Sequence, residues 1–187
     1  LSSTDNVLLG ENISQRPVFQ EGLKGPYIGD VHDAILLAKL LPNPSGEALQ
    51  FVDYSLPIYD KQSRKIGVLA AHFSWEWSRQ VEQSILKPLQ GRLKDVEVYV
   101  VSKKDDTILL GPKGLVGHKM SSDALQQARN GENSWMIDPG TDKKPYLTGY
   151  SYGDGYMNYP GMGWSVIIRQ PAEVAFASIY QLKKFIV

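Results

Sequence analysis

The sequence has no cysteine among its 187 residues, which excludes disulfides, thiolate nucleophiles, cysteine-ligated zinc and iron–sulfur clusters. It has no excess of charge of either sign, because 20 Lys plus Arg stand against 20 Asp plus Glu. Without a basic stripe there is no electrostatic footprint for DNA or RNA, so no nucleic-acid partner is expected. No window approaches the roughly 18 uninterrupted apolar residues of a membrane-spanning helix; the most apolar stretch, Ile66 to Phe73, is strand-length and contains His72. The opening LSSTDNVLLG carries neither a positive leader nor an apolar signal core. A chain without thiols is at ease in an oxidising extracytoplasmic space. There is also no HExxH helix or phosphate loop, and no catalytic residue, metal or cofactor is expected.

What is present is the composition of a folding chain: 42% apolar and 21% charged residues, enough to bury a core in one large domain or two small ones. An internal repeat favours two. Asp5-Asn6-Val7-Leu8-Leu9-Gly10 is echoed at an offset of 101 by Asp106-Thr107-Ile108-Leu109-Leu110-Gly111, each a polar turn feeding a short apolar strand closed by glycine. Downstream the offset is 96, where Tyr54-Ser55 matches Tyr150-Ser151 and Gly67 matches Gly163. Both copies read strand, turn, strand: FVDYSLPIYD and KIGVLAAHFS around KQSR, then YLTGYSYG and GWSVIIRQ around a Gly-rich loop. Helices are expected over Ser14–Leu23, Val31–Leu41 and Ser121–Asn130, the last stopped by Gly131. One more is expected over Ser74–Leu93, capped by Ser74 and kinked at Pro88, with Trp77, Val81, Ile85 and Leu89 as its apolar stripe. VEVYVV reads as a strand opening the second unit, and Ala175–Val187 reads as a closing helix. The expectation is an α+β chain of two antiparallel units, 1-95 and 96-187. The first begins partway through, as in a fragment of a longer protein.

Three features together resemble the double Cache sensor family, the PAS-like extracytoplasmic ligand-binding regions of bacterial receptors. They are the tandem mixed units, the segment ISQRPVFQEGLKGPYIGDVHDA, and a strand ending IGVLAAHFSWEW that runs into a connecting helix. The resemblance implies a long helix before Leu1 and flanking membrane helices that place the domain on the periplasmic side of the inner membrane. It also implies a cytoplasmic output such as a diguanylate cyclase, histidine kinase or chemotaxis region. In that family the membrane-distal unit usually holds the ligand. Its amino-acid-binding branch uses an aromatic, an arginine followed by a Trp-Tyr pair, and a late aspartate. Here Arg16 falls at the arginine and Phe19 at the second aromatic, Val18 replaces the Trp, Glu11 stands near the first Tyr, and His72 stands where the amine-binding aspartate would be.

The residues themselves nominate a site in the first unit. The Arg16 guanidinium can hold a carboxylate or phosphate bidentately, or tie its helix to Asp30 or Asp53. His32 follows Gly29-Asp30-Val31 at what reads as a helix start, where Asp30 caps and backbone N–H groups can receive an anion; the alternative is a cap beside a surface histidine. Val68, Ala70, His72 and Ser74 share one strand face, with His72 either a ligand group or a hydrogen-bonded core histidine. Asp53 and Ser55 point the same way beside Phe51, and Phe19 and Tyr27 are walls or core. At the repeat offset the counterpart of His72 is Ile168, which turns the expectation for a polar ligand toward the first unit. That ligand is a small organic anion, most simply a carboxylate, with a cation on Asp30 and Asp53 as the alternative. Two other classes compete: an enzyme assembled around His32, His72 and His118, and a passive module that forms a homodimer through the connecting helix.

Overall fold

A computed structural model describes residues 8–35, 37–41, 49–89, 93–140, 142–157 and 159–179. The chain forms two compact units, Leu1–Trp77 and Ser78–Val187, each an antiparallel sheet with helices in an α+β arrangement. The division falls in the first turn of the connecting helix, whereas the sequence reading places it beyond that helix, at 95/96.

In the first unit α1 spans Pro17–Lys24 and begins later than the expected Ser14. Proline has no N–H to leave unsatisfied and a fixed φ suited to a first helical position. It also drives the preceding residue out of the helical region, and Arg16 is accordingly extended at φ −81°, ψ 140°. Beyond it lie β1 (Tyr27–Ile28), β2 (His32–Asp33), one 3-10 turn at Leu37–Lys39, β3 (Gln50–Tyr59) and β4 (Lys65–Ser74). The helix expected over Val31–Leu41 is therefore corrected, Leu36 lying outside the described residues. His32 and Asp33 pair with Phe51 and Gln50, and the Ala34 N–H donates to the Leu49 carbonyl at 2.8 Å. The far edge of β3 offers backbone groups that must find partners, and pairing with it outweighs a local helical pattern. The β3–β4 turn is where the sequence places it. Asp60 accepts from the backbone N–H groups of Gln62 and Arg64 and from Arg64 Nε at 2.7 Å. The backbone N–H of Arg64 is the main reason its carboxyl sits below the usual range.

The helix α2 (Glu76–Leu86) opens with the Glu76 N–H donating to Ser74 Oγ at 3.3 Å, and it tightens into a 3-10 turn at Lys87–Leu89 around Pro88. The expected continuation through 90–92 lies outside the described residues. Trp77, Val81 and Ile85 of its stripe are exposed. The second unit then runs β5 (Glu97–Val101), β6 (Ile108–Leu110), α3 (Asp123–Arg129), β7 (Ser134–Pro139), β8 (Pro145–Tyr152), β9 (Ser165–Pro171) and α4 (Ala172–Ala175), with sheet order β6-β5-β9-β8-β7. In the closing helix residues 180–187 are outside the described set. In the first repeat pair Leu8–Gly10 is a turn whereas Ile108–Leu110 is a strand, because β5 is there to pair with β6; Asp5–Val7 are outside the described residues.

The core of the second unit gathers Ala124, Leu125 and Ala128 of α3 with Tyr99, Val101, Ile108, Tyr150 and Ile167. Ser122 caps α3 by accepting from the Leu125 N–H at 3.1 Å. Ser122→Ala is expected to lower the stability of the chain by about 1 kcal/mol, read as a drop in the urea midpoint; an unchanged midpoint would contradict the cap.

The offset-96 repeat survives in the pairing and breaks in the packing. Asp53↔His72, Tyr54↔Ala71 and Ser55↔Ala70 of β3–β4 reappear as Gly149↔Ile168, Tyr150↔Ile167 and Ser151↔Val166 of β8–β9. Yet α1 packs on the Ser55 side of its sheet: a Cβ on Gly22 would stand 2.6 Å from Ser55 Oγ. By contrast α3 packs on the Tyr150 side. A slip of one residue exchanges the two faces of a strand. The helix-facing counterpart of the Asp53↔His72 pair is thus not Gly149↔Ile168 but a neighbouring pair on the other face, which corrects the assignment of Ile168.

Candidate functional site

The face of the first sheet that α1 crosses carries the candidate residues. Cross-strand partners share a face, so Tyr27 joins Ser55, His32 joins Phe51, and His72 joins Asp53. At its centre Asp53 is 7% exposed. His72 Nδ1 donates to Asp53 Oδ1 at 2.5 Å, and His32 Nε2 stands 3.4 Å from Oδ2, the two side chains being 29% and 44% exposed. His32 Nδ1 in turn lies 3.1 Å from the Asp30 carbonyl oxygen. One carboxylate therefore orders two imidazoles, and the ring of His72 keeps its Nε2 edge for another partner. Phe51 packs edge-on to it, with ring centroids 6.2 Å apart.

Around this trio Asp30 Oδ1 accepts from the Val31 N–H at 2.8 Å, a local turn contact and not the helix cap expected. Tyr27 is half-buried. Burial, followed by the negative charges of Asp53, Glu21 and Asp30, pushes its hydroxyl pKa up, so it stays a neutral donor. The Gly29 N–H donates to the Asp53 carbonyl at 2.8 Å, and a Cβ there would stand 3.3 Å from Tyr27 Oη. The reading of the sequence passed over Gly29 as part of the site; a glycine between two short strand pairs is its only signal. Ser55 Oγ is wholly buried without a hydrogen-bond partner. Phe19 is half-buried on α1. Arg16 precedes the same helix, and among the described residues it makes no ion pair, so it does not serve as a tie to Asp53. The structure thus joins Tyr27, Asp30, His32, Asp53 and His72, and places Arg16 and Phe19 on the element that lies over them. No group of three metal-ligating side chains occurs among the described residues.

In the second unit, on the face away from α3, a groove of about 520 Å³ is lined by Trp135, Leu147, Gly149, Ile168 and Phe176 among others. Most of its lining is apolar, with Arg169 and Gln170 also at its wall. No helix of the described residues is long and apolar enough to cross a membrane.

No family model and no curated protein matches this chain. Solved structures do. The periplasmic sensory domain of a Campylobacter jejuni chemoreceptor superposes with a TM-score of 0.61 at 17% identity, over 88% of this chain and 57% of that one. An amino-acid chemoreceptor ligand-binding domain of Pseudomonas aeruginosa, in complex with GABA, gives 0.56 at 16% identity over 87% and 64%. A second from the same organism, in complex with L-arginine, gives 0.57 at 13% identity over 94% and 62%. Extracellular domains ascribed to histidine kinases are also similar. At these identities the likeness establishes the fold, and the chain spans about three-fifths of the length of these neighbours.

Proposed function

We propose that this chain is the ligand-sensing region of a bacterial transmembrane receptor of the double Cache type, anchored in the inner membrane with this part in the periplasm. Its first unit takes a small organic anion on the face around Asp53, and the signal passes to a cytoplasmic output such as a chemotaxis, histidine kinase or diguanylate cyclase region. The fold shared with chemoreceptor sensory domains supports the sensor reading. The observation that carries the ligand class is that the one deeply buried carboxylate of the face, Asp53, already has an imidazole at each oxygen. An incoming ammonium would have to share those oxygens with the two imidazoles. What the face still offers is donors: the outer edge of His72, the Tyr27 hydroxyl, and the Arg16 guanidinium at the start of the covering helix. Arg16 forked on a carboxylate, with His72 donating to a second polar group and Phe19 and Tyr27 as walls, is the simplest arrangement. Occupancy biases the receptor by its differential affinity for two arrangements of this unit.

Thermal-shift screening against carboxylates, amino acids including GABA and L-arginine, and simple amines tests this. Carboxylates are expected to raise the melting temperature, and Arg16→Ala to abolish the rise. Stabilisation that survives Arg16→Ala would remove Arg16 from the site; stabilisation by amines alone would reverse the ligand class.

A further inference from the structure

We infer that the first-unit site takes up a proton together with its anion, at His72 Nε2, so that its affinity for a carboxylate depends on acidity. This rests on the reading of that unit as a carboxylate site and adds how the site is regulated.

The reason lies in which ring nitrogen Asp53 occupies. An ionised carboxylate can only accept, so the hydrogen shared at 2.5 Å belongs to His72 Nδ1. A neutral imidazole has one N–H, and here it is committed to Asp53. Its Nε2 then presents a bare lone pair, which has no partner among the described residues. The side chain of His72 is 29% exposed whereas Asp53 is nearly buried, so the side of the ring turned away from Asp53 is the one a solute reaches. A lone pair and a carboxylate oxygen repel each other. They join only when a second proton makes Nε2 a donor as well.

Charge acts in the same direction. With both imidazoles neutral, Asp53 sets an unbalanced negative charge behind the ring, where little water screens it. A proton on His72 balances that charge and leaves Arg16 to attract the anion. The ionisable groups around His72 among the described residues are Asp53 on β3, His32 on β2 at 3.4 Å from Asp53 Oδ2, Asp30 before β2, Tyr27 on β1, and Arg16 and Glu21 at α1, Glu21 being paired with Lys24 at 2.7 Å. On β4 itself Val68, Ala70 and Ser74 share the face of His72, and none of them titrates. Only histidine, of these side-chain types, ordinarily changes charge between about pH 5 and 8. The protonated ring is the binding form, so affinity is full on the acid side and is lost as pH rises through the titration of the ring. On the alkaline side each pH unit weakens the carboxylate about tenfold, the mass action of one proton.

Acetate is the probe, since a carboxylate of this kind is ionised above about pH 5.5. In the whole chain the amide NMR signals of Ala71 and His72 read its affinity, and the ring nitrogen signals of His72 read the proton. From about pH 5.5 to 8.5 the affinity is expected to fall toward the slope of about tenfold per unit. At the alkaline end, saturating acetate is expected to turn the Nε2 signal from that of a bare nitrogen into that of an N–H. His72→Gln, which offers an amide N–H at every pH, is expected to flatten the profile, and His32→Gln to keep it. The ring signal is read in the unsubstituted chain, so it decides the matter even if His72→Gln does not fold. An Nε2 signal unchanged by bound acetate, a slope that persists in His72→Gln, or a slope lost only in His32→Gln overturns the inference. Binding that Arg16→Ala abolishes but pH leaves unchanged overturns it and keeps the first-unit reading. Acid-dependent binding that survives Arg16→Ala supports it and removes Arg16 from the site. Acetate that binds at none of these pH values overturns it, and the wider carboxylate screen then decides the first-unit reading by itself.

Discussion

Asp53→Ala is expected to cost the chain about 2 kcal/mol of stability and to abolish stabilisation by ligand. The carboxylate is nearly buried and holds His72 at 2.5 Å and His32 at 3.4 Å. Breaking a fully buried charged pair costs about 3–5 kcal/mol, whereas an exposed pair is worth at most about 1 kcal/mol. His72 and His32 stay partly in water, so the loss falls between these limits, near the value of a charge-assisted hydrogen bond. The functional loss is the larger, because Asp53 is the one group that holds both rings that present donors to the ligand. Asp53→Asn keeps the shape and is expected to restore part of the stability but not the binding. Urea unfolding together with ligand thermal shifts measures both. A loss under about 0.5 kcal/mol with the ligand shift intact would show that Asp53 is an ordinary surface acid.

Gly22→Ala is expected to destabilise the first unit by about 1–2 kcal/mol, although alanine is the better helix former by about 1 kcal/mol. A Cβ at this position would stand 2.6 Å from Ser55 Oγ and 2.7 Å from Val68 Cγ1. Ser55 is wholly buried and Val68 half-buried, and overpacking of this kind costs about 1–3 kcal/mol before the propensity gain is counted. The helix must back away from the sheet, and it carries Arg16 and Phe19 with it, so ligand affinity is expected to fall further than stability. Ser55→Ala removes the nearest obstacle together with a hydroxyl that has no partner. Alone it is expected to be close to neutral, and combined with Gly22→Ala to recover part of the loss. The double-mutant cycle should therefore show a coupling of about 1 kcal/mol. Strict additivity would mean that helix and sheet do not meet there.

Several elements were legible because their signals are local. Gly131 stops α3 and KQSR turns β3 into β4, as their residues indicate. Pairing was legible too, since alternation in FVDYSLPIYD and KIGVLAAHFS fixes which residues can stand opposite. Asp53 and His72 fall on one face by period-two counting alone. By contrast β1, β2 and β7 have weak signals of their own. The first two hold two residues each, and Ser134–Pro139 becomes a strand only because β8 pairs with it.

The sequence by itself determined the two-unit α+β plan, the β3–β4 and β8–β9 pairs and the chemistry available on those strands, since composition and period-two alternation act over a few residues. Only the tertiary structure decided which face of each sheet meets a helix. That choice separates Asp53–His72 from Gly149–Ile168, and no local pattern records it. Side-chain period is two in both units, so a repeat aligned by identity at Tyr54 and Tyr150 can be correct in register and reversed in facing. What settles it is where α1 and α3 bury Val18 and Gly22, and Ala124, Leu125 and Ala128, a contact between segments distant in the chain.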